Sequence, residues 1–176
     1  MLKDFFKEYM DLVVSEKNIY VSPQIVDYIS SAFDSFYKNM PLYLVDVNEQ
    51  TSFQTYKKRG DLALILVGFF TEWLNRPRRP LKESDYIVSG KQNYFNAYVV
   101  LDSNFGEYFN LENEKAYLYI LKQYGDIYSY IEIFKLLSEN FEEYANMLKS
   151  MRRLINDRQN LYKMFKSIEE FLDKNE

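Results

Sequence analysis

Cysteine and histidine are both absent from these 176 residues, and the two absences remove most familiar site chemistry. Without cysteine there is no disulfide, no thiolate-held zinc or iron–sulfur cluster and no thiol nucleophile. Without histidine there is no Ser-His-Asp relay, no histidine-bearing metal site and no imidazole base. Glycine and proline number only five and four, too few for a collagen-like or low-complexity chain. No Gly-x-x-x-x-Gly-Lys-Ser/Thr phosphate loop occurs. The longest apolar run, Leu62 to Phe70, is nine residues, well short of the ~20 that span a bilayer. The first residues, Met1-Leu2-Lys3-Asp4-Phe5-Phe6-Lys7-Glu8, lack the basic and apolar regions of a signal peptide. The expectation is a cytoplasmic protein with no membrane partner.

What is present is apolar and aromatic. Hydrophobic residues make up 47% of the chain, with 17 tyrosines and 14 phenylalanines, which excludes a disordered segment. A chain of this length buries roughly 70% of its unfolded surface without a metal or disulfide staple, so residues 1–176 are read as one domain. Lys and Arg total 22 against 26 Asp and Glu, a net charge of −4. That is the wrong overall sign for a dedicated nucleic-acid binder, and no nucleic-acid partner is expected. Abundant Lys and Glu without Cys or His also fit a thermophile.

Apolar residues recur at helical spacing in nearly every segment, and nothing reads as a strand–turn–strand pattern. The expected fold is all-α, a single-domain bundle of six to eight helices. The first helix should run from Lys3 to Val14. The second should open at Ser22-Pro23, a capping residue followed by a proline whose missing N–H costs nothing there. Asp46 and Glu49 have capping-box spacing for a third helix, which either continues to Asn75 or breaks at Gly60. Arg76-Pro77-Arg78-Arg79-Pro80 must interrupt any helix. A fourth helix is expected from Ser84-Asp85 to Leu101, with a loop over Asp102–Asn110. Leu111–Tyr124 should be helical and end at Gly125, and Asp126 should cap the next helix. Asn140 and Glu143 again have capping-box spacing. From Tyr144 an apolar seam runs through Leu148, Met151, Ile155, Tyr162, Phe165, Ile168 and Leu172, with Arg158 interrupting it.

Two stretches draw attention. Leu62 to Phe70 is apolar all round, as in a helix at the centre of a bundle. Gly60 and Gly68 each cost about 1 kcal/mol relative to alanine inside a helix, so a close backbone approach should compensate. Gly90 and Ala97, seven residues apart, form a flat strip for a neighbouring helix. The matching residues are Gly60-Asp61, Ala63-Leu64 and Gly68-Phe69-Phe70, then Tyr86, Gly90, Ala97 and Tyr98. In these the chain resembles a group of uncharacterised bacterial proteins that share a Gly-Asp-x-Ala-Leu-x-x-x-Gly-Phe-Phe stretch. The resemblance covers under a quarter of the chain. Thr71 stands where that group has proline, and Asn93 where a small residue is usual. It implies a shared helical fold and no particular activity.

Polar residues in those stretches suggest either a buried clamp or the floor of a ligand pocket, with Arg59, Asp61, Asp85 and Tyr94 as the candidates. Metal chemistry finds no support. Asp102-Ser103-Asn104-Phe105-Gly106-Glu107 puts glycine one place early for a calcium loop, and Asn113 stands where glutamate is needed. No cofactor and no catalytic residue is expected. The basic runs Lys57-Lys58-Arg59, Arg76–Arg79 and Arg152-Arg153 have the composition of cations that complement helix ends. The tyrosines Tyr117, Tyr119, Tyr124, Tyr128 and Tyr130 cannot all face a core, and exposed tyrosine is characteristic of interfaces. The leading expectation is therefore a non-enzymatic interaction protein. It would form a homodimer through exposed aromatic faces or through the long C-terminal helices, with Tyr144, Met151, Tyr162 and Phe165 as the interface candidates. The second is a small-molecule-binding or enzymatic bundle with its pocket near Arg59, Asp61, Asp85 and Tyr94.

Overall fold

The computed structural model describes residues 2–44, 53–108, 114–156 and 159–175, and every regular element in it is a helix. In chain order these are α1 (Leu2–Glu16), α2 (Pro23–Lys38), α3 (Met40–Leu44), α4 (Phe53–Phe69) and α5 (Thr71–Leu74). There follow α6 (Glu83–Tyr108), α7 (Glu114–Tyr124), α8 (Ile127–Glu139), α9 (Phe141–Asn156) and α10 (Gln159–Lys174). Eight of these ten have seven or more residues, and the all-α bundle read from the periodicity is the fold. None is long and apolar enough to cross a membrane among the described residues.

Local chemistry explains most boundaries. The Ser22 hydroxyl accepts from the Gln24 N–H at 3.3 Å, with Pro23 at the first helical position of α2. Gly125 closes α7 at φ 84°, a left-handed conformation natural to glycine. The Asp126 carboxylate then accepts the Ser129 N–H at 2.7 Å and starts α8.

Other boundaries depart from expectation. Helix α4 runs straight through Gly60 and stops at Phe69, so the interruption falls at Phe70, between the two expected alternatives. Helix α6 continues to Tyr108, across the expected loop. Once a helix is nucleated each further residue adds a hydrogen bond, which here outweighs the weak local propensity. Asn140 stands at the junction of α8 and α9, and its backbone carbonyl accepts the Tyr144 N–H at 3.1 Å as α9 begins. Its side-chain amide donates to the Leu136 carbonyl at 3.2 Å and so also closes α8. Asp46, Glu49 and Arg158 lie outside the described residues.

Helix α4 is the axis of the bundle. It packs most extensively on α6 and α9, and also touches α2, α3 and α5. Its residues 63–69, and Phe70 just after them, are all buried, which is why this stretch shows no polar face. Close approach depends on missing side chains. A Cβ on Gly90 of α6 would stand 2.4 Å from Phe141 Cε2 and 3.0 Å from the Ala63 Cβ, and one on Gly68 would stand 2.6 Å from the Leu148 Cβ.

Two aromatic clusters flank this axis. Phe6, Phe33, Phe69 and Phe165 meet with ring centroids 4.1–6.4 Å apart and join α1, α2, α4 and α10. On the other side Phe134 gathers Tyr28, Phe53, Tyr94 and Tyr130 at 5.1–6.4 Å. Of the tyrosine-rich region, Tyr124 and Tyr130 are buried, whereas Tyr119 and Tyr128 are exposed. Core and surface thus divide these residues, as helical spacing requires.

Candidate functional site

Asp61 is a carboxylate with no exposed surface, carried on the central helix. An ionised group in such a place must be paired and hydrogen-bonded, and three side chains do this. The Tyr28 hydroxyl from α2 donates to Oδ1 at 2.7 Å, and the Tyr94 hydroxyl from α6 donates to the same oxygen at 2.8 Å. Lys57, one turn earlier on α4, donates to Oδ2 at 2.7 Å. The Lys57 ammonium also lies 5.2 Å from the Tyr28 ring centroid. The Tyr28 and Tyr94 hydroxyls are both held well above the ordinary phenol range. Burial penalises the phenolate most, and the negative charge of Asp61 adds to it. Both phenols therefore act here as donors, and the cluster ties α2, α4 and α6 together.

The four candidates for a pocket do not converge. Asp61 and Tyr94 meet directly, but Arg59 and Asp85 are exposed. Helix geometry gives the reason. Arg59 is two residues from Asp61, so about 200° of helical rotation separates them. Asp85 is nine residues from Tyr94, about 180° round and ~13 Å along α6. Asp85 has a local task, since its carboxylate accepts the Lys82 backbone N–H at 2.8 Å as the acidic half of a capping box. The clamp is thus built from lysine and two phenols, with Arg59 outside it.

Lys57 could have been found from its i,i+4 spacing to Asp61. Tyr28 could not, because no local pattern links α2 to α4. Asp61, Tyr28 and Tyr94 are buried and the Lys57 side chain is 21% exposed, so the cluster fastens three helices together mostly out of contact with solvent.

Of the seam residues expected at an interface, Tyr144, Met151 and Phe165 are buried within the chain itself, at 6%, 0% and 0% exposure. Only Tyr162 is at the surface, 46% exposed. The seam packs α9 and α10 against their own bundle because Phe165 completes the aromatic cluster around Phe33 and Phe69. The basic turn at Arg76–Arg79 is likewise engaged internally. Arg76 binds the Asp173 carboxylate at 2.9 Å, and the Arg79 guanidinium stacks 3.5 Å from the Trp73 ring centroid. The Trp73 indole N–H donates to Asp173 at 2.7 Å, so this turn clasps α10.

Helix α6 presents apolar side chains on its outer face. Val88, Phe95 and Val99 on α6 are 68%, 48% and 40% exposed. Their spacing of seven and four places them on one stripe. No family model matches the chain, and no curated protein or solved structure matches it.

Proposed function

We propose that the chain is a non-enzymatic helical interaction protein that associates with a second copy of itself, and that the contact is the outer stripe of α6. The observation that carries this reading is the alignment of Val88, Phe95 and Val99 on one exposed face of the longest helix. Gln92, between them, is the polar member of the stripe, and its amide is hydrogen-bonded to Asn96 at 2.9 Å. An antiparallel pairing that sets Val88 of one copy against Val99 of the other also sets Phe95 against Gln92. The surface is then self-complementary, as a two-fold contact requires.

The stripe spans 12 residues, about 16 Å of helix, so the dimer is weak and depends on concentration. The net charge of −4 opposes it at long range, and added salt strengthens it by screening. Sedimentation velocity over a dilution series is the test. A dimer that falls to monomer with Phe95→Glu, and is unchanged by Tyr162→Glu, supports the reading. A wild-type chain that stays monomeric at high concentration refutes it.

A further inference from the structure

The junction between α4 and α5 forms one wall of a cleft of about 330 Å³ whose other walls are α9 and α10. That volume is at the small end of ligand pockets. Five of its lining residues set its character: Phe70, Glu72, Arg152, Arg153 and Glu169.

Arg152 is the unusual member. Its guanidinium lies over the Phe165 ring, 3.8 Å from the centroid, and 5.9 Å from that of Phe70. Its Nη1 is buried without a hydrogen-bond partner. Burial lowers the pKa of this arginine, and the more distant charges of Glu169 and Glu72 oppose that effect. Among the described residues Arg152 and Arg153 close no ion pair with either carboxylate of the cleft. Glu169 has only a loose contact, 3.9 Å, to Arg76. Lys149, also on the rim, is already held by Glu83.

Two cations on α9 therefore face two carboxylates from α5 and α10 across a small space, without closing on one another. A desolvated guanidinium in that setting gains most from a bound carboxylate. A plain anion, however, meets the repulsion of Glu72 and Glu169, and a plain cation meets Arg152 and Arg153. A small molecule carrying both charges satisfies both sets. We infer that this cleft binds a free α-amino acid, its carboxylate received by Arg152 and Arg153 and its ammonium by Glu72 and Glu169. The inference stands on the cleft alone and is independent of the α6 contact.

The test is a titration of ¹⁵N-labelled protein with glycine, L-alanine and L-glutamine, with acetate, methylammonium and inorganic phosphate as single-charge controls. Saturable shifts confined to the backbone around residues 70–72 and 149–153, produced by at least one amino acid and far weaker with the controls, are expected. Arg153→Gln and Glu72→Gln, both at exposed positions, should each weaken that binding about tenfold, the scale of one charge-assisted hydrogen bond. Arg152→Met should abolish it, and if that variant fails to fold the two surface variants decide the matter. Equal or stronger binding of acetate or phosphate would make this a simple anion site and overturn the inference. So would no saturable shift with any of the three amino acids, or binding indifferent to Glu72→Gln.

Discussion

The ring of Tyr94 occupies the space that a side chain on Gly60 would need: a Cβ there would lie 2.7 Å from both Cδ1 and Cε1 of the ring. This approach is what brings the Tyr94 hydroxyl to the neighbouring Asp61, and it joins α6 to the central helix at its most polar point. Replacing Gly60 with alanine improves helix propensity by up to about 1 kcal/mol. It also forces Tyr94 out of place, and overpacking of a filled core costs about 1–3 kcal/mol. With the full propensity gain set against it, Gly60→Ala should lower stability by up to about 2 kcal/mol, read from the midpoint of urea unfolding. In a Tyr94→Leu background, where the ring is gone, the additional penalty of Gly60→Ala should shrink. A stabilised Gly60→Ala variant would show that the ring can move aside freely.

Alkaline pH tests the Asp61 fastening. Tyr28 and Tyr94 have folded-state values raised well above the ordinary phenol value, by burial first and by Asp61 next. A raised folded value means that the unfolded chain loses these protons first as pH climbs. Their contribution is full below about pH 10, the unfolded value, and declines above it. Stability should fall above pH 10, and the two buried phenols should ionise only as the chain unfolds. Tyr28→Phe and Tyr94→Phe should each cost about 1 kcal/mol at neutral pH and should each flatten the alkaline decline. An alkaline limb as steep in the double variant as in the wild type would assign the effect to other tyrosines.

The same residues show what a sequence can and cannot display. The buried run at Leu62–Phe70, the caps at Ser22 and Asp126 and the turn at Gly125 are local in origin, so each was legible from neighbouring residues. The assembly of Asp61 with Tyr28 and Tyr94 joins residues 33 positions apart on either side, and no spacing rule reaches across helices. Arg59 and Asp85 were grouped with them by nearness in sequence or stretch, although their helical phase already placed them on opposite faces. The C-terminal seam had a true apolar periodicity. Periodicity specifies that a face is covered and leaves open whether the chain or a second copy covers it.

Phe165 and Tyr162 separate those two cases. Phe165 has no exposed surface and touches Phe6, Phe33, Phe69 and Phe70, in addition to supporting Arg152. Phe165→Ala should cost about 3–5 kcal/mol, as expected for a large ring removed from a packed core. Tyr162 is 46% exposed and its ring has the Lys166 ammonium 5.8 Å away. Tyr162→Glu should change stability by no more than about 0.5 kcal/mol. Thermal unfolding of both variants checks the pair, and comparable losses would mean that α10 is seated differently.

Trp73 is the single tryptophan of the chain, and its bond to Asp173 makes it a reporter of how the last helix is held. The Asp173 carboxyl lies below its ordinary range, chiefly because it accepts the Trp73 indole N–H. Partial burial opposes this, and the hydrogen bond and charge of Arg76 add to the lowering. A depressed folded value places the stabilising contribution above the unfolded value of about 3.9 and removes it as pH falls through the folded one. Tryptophan fluorescence should therefore be steady from neutral pH down past that ordinary carboxylate value, and then change in a single step as Asp173 takes up a proton. Arg76→Ala should move the step to higher pH. Asp173→Asn keeps an oxygen for the indole and loses the charge, so it should abolish the step while leaving the neutral-pH spectrum close to that of the wild type. A step that persists in Asp173→Asn would assign the titration to another carboxylate, with Glu169 the first to replace because it is the other acidic partner of Arg76.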